Sequence, residues 1–188
     1  MKKPSTGLLT KDRSRQFPVR GRITKQTATC CVARLLVLAC EAPRRPIIIQ
    51  IHSPGGLITE SLMIVSTMRG LKCPVSTVCH NEVGGMAILI AAQGSPGLRT
   101  ATSSTRFSFQ AFLNEPSHIP GQERLLGEIL AQSTGRPVEE VLAWITEGAI
   151  FGPDRAIANG LIDSIVANPP SEWSEPGLPP QVTTPRCS

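Results

Sequence analysis

Two apolar runs, each followed by a sharp turn and then a helical pattern, limit what this chain can fold into more than any other feature. The first, Ile47-Ile48-Ile49-Gln50-Ile51, lacks the alternation of a half-exposed strand. It reads as a strand buried on both faces, as parallel strands usually are. Ser53-Pro54-Gly55-Gly56 breaks the run, and Ile58, Leu62, Val65 and Met68 then recur on one helical face that stops at Gly70. Val75 to Cys79 reads as the second strand, Asn81 to Gly85 as a tight turn, and Met86 to Ala92 as a short apolar helix ending near Gly94. Two strand-turn-helix units in succession mark an α/β fold with parallel pairing.

The flanking segments extend the pattern. Phe17 to Ile23 predicts a short strand, and Val32, Leu35, Leu36 and Ala39 predict the buried stripe of the helix after it. Arg106 to Ala111 alternates, with Phe107 and Phe109 on one face and Ser108 and Gln110 on the other. That predicts a half-buried strand in which position 110 points away from the phenylalanines. Leu125, Leu126, Ile129 and Leu130 predict a helix over Gln122 to Gln132, and Val138, Val141, Leu142 and Ile145 predict another after Pro137. Pro153 and Gly160 bracket a third short helix, before a closing strand over Leu161 to Val166. No internal repeat of fixed period is present.

A chain of 188 residues fits one domain, able to bury about 70% of the surface its unfolded form exposes. Residues 1–15 read as a basic flexible arm, 16–166 as the folded domain, and 167–188 as a proline-rich disordered tail. The formal charge of +5 is concentrated at the front, where eight lysines and arginines within residues 1–25 face Asp12 alone. Such an arm can touch phosphates or an acidic partner. Without aromatic interleaving or a reading motif, a solvated terminus is the expectation, and no nucleic-acid partner is expected.

The six cysteines form no CxxC pair and have no histidine at ligand spacing, which disfavours zinc. Five lie in apolar runs and are expected to be small buried hydrophobes. No metal and no cofactor are expected. The amino terminus lacks an apolar stretch before a cleavage-like site, and Arg34 interrupts the richest apolar run, Cys30 to Cys40. The expectation is a soluble protein of a reducing cytoplasm, or of a plastid-type stroma, with no membrane partner.

The run Ile47 to Gly56, the helix after it, Pro74-Val75-Ser76-Thr77-Val78-Cys79, and the close from Thr134-Gly135-Arg136-Pro137 to Gly160-Leu161-Ile162-Asp163 carry a resemblance. Together, in colinear order over about residues 15 to 166, they resemble the proteolytic subunits of the ATP-dependent Clp protease. The resemblance implies a single α/β domain built as the Clp protease/crotonase-like spiral of β-β-α units. It implies association with homologous proteolytic subunits in a ring, in homo- or hetero-oligomers, fed by an AAA+ ATPase unfoldase.

The resemblance also implies a Ser-His-Asp endopeptidase, and this sequence departs from it at all three positions. The nucleophile position falls on Gly85, which has no atom with which to attack. The base position falls on Gln110, whose carboxamide takes up no proton near neutral pH. The orienting position falls on Gly148; a shift of one residue would offer Glu147, but an orienter without a base has nothing to orient. The backbone N–H groups that would form the oxyanion hole match Gly56 and Met86 and do not depend on side chains. Gly55 and Gly56 equally satisfy what a sharp turn needs.

The resemblance thus points to a catalytically degenerate member, a non-catalytic subunit with a structural or regulatory role in a ring. One alternative is a crotonase-like acyl-CoA-binding enzyme that uses the same two N–H groups. Another is an active Clp serine endopeptidase with the alignment slipped, although the nearest serines, Ser76 and Ser95, lie nine or ten residues from position 85. A relocated site at Cys79, His80 and Glu82, or at His52 and Ser53, is not expected, because neighbours on a strand face opposite sides. His118 reads as solvated in a proline-flanked loop. The segment between Ala111 and Ser133, holding Pro116 and Pro120, is shorter than the strand-plus-long-helix handle that interlocks two rings in that family.

Overall fold

The computed structural model describes residues 13–113 and 121–166; the first twelve residues of the basic arm, the loop of Pro116, His118 and Pro120, and the proline-rich tail with Cys187 lie outside the described residues. Strand β1 (Gln16–Arg20) leads into helix α1 (Lys25–Glu41), and β2 (Ile47–Ser53) into α2 (Ile58–Gly70). Strand β3 (Val75–Gly84) leads into α3 (Met86–Ala92), followed by β4 (Arg99–Thr102), β5 (Arg106–Ser108) and the single turn α4 (Gln110–Leu113). After the loop come α5 (Gln122–Thr134), α6 (Val138–Thr146), β6 (Ile150–Phe151), α7 (Pro153–Ala158) and β7 (Ser164–Val166).

The spine is a parallel sheet in the order β1-β2-β3-β4-β7. Its longest strand serves two neighbours in turn. Thr77 to Cys79 of β3 pair with β4, whereas Glu82 to Gly84 pair with β5, which in turn pairs antiparallel with β6. Between these halves the register against β2 jumps, from Ile51 opposite Cys79 to Ser53 opposite Val83, and Asn81 takes the left-handed conformation at φ 56°. A bulge of this kind bends a strand and re-aims its side chains. Here it carries β3 from the main sheet to a smaller one.

The hydrophobic core follows from the two apolar runs. Ile47, Ile49 and Ile51 are fully buried, and the other face of β2, Ile48 and Gln50, is buried as well. Helix α3, apolar on every side, buries all seven of its residues. Only a helix surrounded by other elements tolerates such a sequence.

Several expectations change in the structure. The polar stretch Asn81-Glu82 does not close a turn; β3 continues through it to Gly84 because β5 supplies a partner for the second half. The strand expected over Arg106 to Ala111 stops at Ser108, where the Phe109 N–H leaves the ladder for the Ala149 carbonyl at 2.9 Å, and Gln110 begins α4 instead. Helix α1 is turned from its expected stripe. It buries Ala28, Cys31, Leu35 and Leu38, leaving Leu36 and Val37 about half exposed at 48% and 51%. Its run is apolar almost all round, so periodicity alone allows either face, and the small Ala28 and Cys31 take the inner one. For the same reason Cys30 and Cys40 are exposed rather than buried. Strands β4 and β6 carry no apolar run that would mark them, and the closing strand covers only Ser164–Val166.

Arg99 locks the C-terminal elements to the sheet. Its guanidinium makes a two-pronged contact with the Asp163 carboxylate and also donates to the carbonyls of Ser133 and Gly160, both at 2.8 Å. The Arg99 N–H donates to the same carboxylate at 2.9 Å, and the Asp163 N–H donates to the Arg99 carbonyl at 2.7 Å. Burial pushes the Asp163 carboxyl up, but the hydrogen bonds and charge of Arg99 outweigh it and hold the group below its ordinary value. Stability from this pair is therefore present above about pH 4 and lost as pH falls through the lowered folded value. Asp163→Ala strands a largely buried cation and is expected to cost about 3 kcal/mol, read as a lowered urea midpoint at pH 7. Arg99→Lys should rescue little, since an ammonium cannot reproduce the fork.

Candidate functional site

At the C-terminal ends of the central strands two sharp turns interlock. A Cβ on Gly55 would meet the Gly84 carbonyl oxygen at 2.9 Å and the Met86 nitrogen at 3.1 Å, and one on Gly84 would meet the Pro54 carbonyl oxygen at 2.8 Å. The glycines are thus required by close approach of one backbone to the other. Ser53 supports the first turn: its Oγ donates to the Gly21 carbonyl at 2.6 Å and accepts from the Gly55 N–H at 3.1 Å. That use of the hydroxyl is structural.

Gly85 sits at the tip of the second turn, N-terminal to α3, at φ 45° and ψ −125°. Its N–H donates to the Ser108 carbonyl at 3.0 Å, tying the tip to the end of β5. Two residues further on, Gln110 is exposed at the start of α4. Gly148, at φ 60°, lies beside it: a Cβ there would fall 2.8 Å from Cγ of Gln110. The three positions singled out from the sequence, 85, 110 and 148, are therefore brought to one end of the fold. Packing of Phe109 against Phe112, Trp144 and Phe151, with ring centroids 5.9, 5.9 and 5.1 Å apart, fixes α4 against α6 and β6 there.

Gly56 and Met86 present backbone donors at the same place. Gly56 bridges to Ile23 in parallel fashion, with Ile23 N–H on the Gly55 carbonyl at 2.8 Å and Leu57 N–H on the Ile23 carbonyl at 2.9 Å. In that pattern the N–H of Gly56 itself points away from Ile23. Met86 is the first residue of α3 and has no acceptor one turn back. Among the described residues no acceptor is found for either N–H. Positions 85, 110 and 148 supply neither a nucleophilic atom nor a proton acceptor.

Among the described residues, neither Cys79 nor the nearby histidines are set up to fill those roles. Cys79 is fully buried, and burial pushes its thiol well above the ordinary value, which keeps it protonated and inert. The sequence reasoning paired residues along a strand and missed the pairing across strands. His52 and His80 face each other, ring centroids 5.2 Å apart, where the β2–β3 register breaks just beyond the Ile51–Cys79 pair. His80 is only 3% exposed; burial first, then His52 and Arg20, lower it to about 4.

The sign of the resulting pH dependence follows. The unfolded chain takes up a proton at this residue near pH 6.5 and the folded one only near 4, so acidification between these values favours unfolding. The loss should total about 2–3 kcal/mol by pH 4, with no contribution above pH 7. In buffers free of polyvalent anions, urea midpoints should fall from pH 7 to 4.5 in the natural chain and stay nearly level in His80→Leu.

Among the described residues no cluster of three potential metal ligands occurs, and no helix is long and apolar enough to cross a membrane. The family model described as Clp protease matches residues 6–169. Among curated proteins, the chain is 34% identical over 161 residues to the ATP-dependent Clp protease proteolytic subunit 2 of Chlamydia muridarum, covering 78% of this chain and 77% of that one. The subunit 2 protein of Chlamydia pneumoniae is 33% identical and the subunit 1 protein of Chlamydia felis 32% identical, each over the same shares of the two chains.

Proposed function

Because this chain belongs to the Clp protease family, we propose that it serves as a non-catalytic subunit of an ATP-dependent Clp-type protease, occupying a place in a ring beside serine-bearing homologues and contributing to chamber or docking surface rather than to cleavage. The observation that carries this reading is Gly85: at the tip where a strand hands over to a buried helix, a placement that would expose a nucleophile, the chain carries only hydrogen. Gln110 and Gly148, the neighbours that would have to supply base and orienter, carry neither imidazole nor carboxylate.

Two further features support association. The outward side of α1 exposes Leu36, Val37, Cys30 and Cys40, an apolar strip that suits lateral packing against another subunit. Helix α5 has 13 residues, about 20 Å, which supports a single ring rather than two interlocked ones. The partners are then homologous proteolytic subunits and an AAA+ ATPase. The same reading places the chain in a reducing compartment, cytoplasm or plastid-type stroma, where the exposed thiols stay reduced.

Native purification of the tagged chain, followed by mass measurement of the intact assembly, tests this proposal. The expected product is one ring containing a homologue with an intact serine, and Val37→Asp should reduce it to smaller species without unfolding the chain. Recovery of the chain as a lone monomer, or only in complexes free of any homologous subunit, would refute it.

A further inference from the structure

On the face of the sheet that carries Ile48 and Gln50, the register sets Arg20 opposite His52, and His52 meets His80 across the β2–β3 bulge. Three groups able to carry positive charge thus stand in a row across the sheet: Arg20 closes β1, His52 is next to last in β2, and His80 lies in the middle of β3, just before its bulge. Arg20 and His52 are half-buried and line the outer part of the row; His80 forms its inner end. The Nε2 atom of His80 is buried without a hydrogen-bond partner among the described residues. An orphaned buried polar atom is costly and calls for an explanation.

We propose that Arg20, His52 and His80 form a binding site for one small oxyanion, a carboxylate or a phosphate, which accepts hydrogen bonds from the guanidinium of Arg20 and from the two imidazoles. The site is separate from the turn of Gly85 and does not depend on any role in peptide cleavage.

The chemistry of the row selects an anion over a metal cation. An imidazole pair alone could ligate a metal, but a guanidinium beside it opposes a second cation and offers five donors and no acceptor. The groups facing His80 are Arg20 from β1 and His52 from β2, both of positive sign when charged; the β4 ladder ends one residue earlier, at the uncharged Ala101 opposite Cys79; and on its own strand Asn81 and Glu82 are exposed. Glu82 is paired in register with Arg106 of β5. With cations as its electrostatic neighbours, His80 resists protonation. An oxyanion reverses that balance, so binding takes up protons and strengthens as pH falls from 7.5 to 5.5.

Calorimetric titration of the full chain with inorganic phosphate and, separately, with acetate tests this at pH 5.5 and 7.5, with ionic strength held constant by sodium chloride. The expected result is saturable binding of at least one of them, at least tenfold tighter at pH 5.5, with proton uptake shown by two buffers of different ionisation enthalpy. Preference for phosphate or for acetate assigns the class of oxyanion. Arg20→Gln and His80→Leu should each weaken binding at least tenfold. His52→Gln, at a half-buried position, serves if His80→Leu does not fold. Absence of binding of both anions at millimolar concentration, or binding unchanged in the folded variants, would overturn the proposal.

Discussion

Gly56→Ala is expected to abolish folding at 37 °C. An added Cβ would lie 2.3 Å from the Ile23 carbonyl oxygen, 2.5 Å from its nitrogen and 2.8 Å from its Cα, at a position whose φ is +154°. The atoms in the way are backbone and cannot swing aside. Relief requires Ile23, fully buried, to move, which breaks the hydrogen bonds joining it to Gly55 and Leu57. Conformational strain of about 1–3 kcal/mol and two lost hydrogen bonds of about 1 kcal/mol each sum to roughly 4 kcal/mol, a large part of the 5–15 kcal/mol that holds a typical domain together. Gly97→Ala separates the two causes. Position 97 also has positive φ, +81°, but nothing lies within 4 Å of the added atom. That variant should fold and lose only about 1 kcal/mol, a shift in urea midpoint of about 0.5 M against about 2 M or complete loss for Gly56→Ala. Equal effects of the two substitutions would mean that the close approach of the Ile23 backbone is not what position 56 protects.

How far the sequence revealed this arrangement depended on where each residue's constraint lies. The β2 run and α3 were legible because burial on every side selects apolar residues: the run admits only Gln50 among its isoleucines, and α3 has no polar residue. The phase of α1 was not, because Cys30 to Cys40 is apolar on nearly every face and tertiary packing chose between stripes. The bulge at Asn81 was read as a turn, since a left-handed asparagine beside a glutamate suits either, and only the presence of β5 decides. Positions 85, 110 and 148 were singled out because colinear motifs fixed their order. The facing of His52 and His80 was invisible from spacing along the chain, because it arises between two strands, where their register breaks.

The second large effect concerns catalysis. A serine-based triad acts as a unit, and loss of nucleophile or base forfeits most of a factor of about 10⁶, leaving roughly 10³–10⁴ over water from backbone donors and binding. With glycine at 85, glutamine at 110 and glycine at 148, the isolated chain should retain at most that residue, which for peptide bonds is indistinguishable from buffer. Gly85→Ser alone should restore nothing measurable. Gln110 cannot remove a proton from the new hydroxyl, and Gly148, which lies against Gln110, leaves any base introduced at 110 without an orienter.

The decisive measurement is casein turnover by the isolated chain, produced in cells lacking every homologous subunit, together with labelling by an active-site-directed fluorophosphonate. The account predicts no turnover above the buffer rate and no covalent label on the chain. Casein degradation that tracks the purified chain, or stoichiometric labelling of any of its serines, would contradict it.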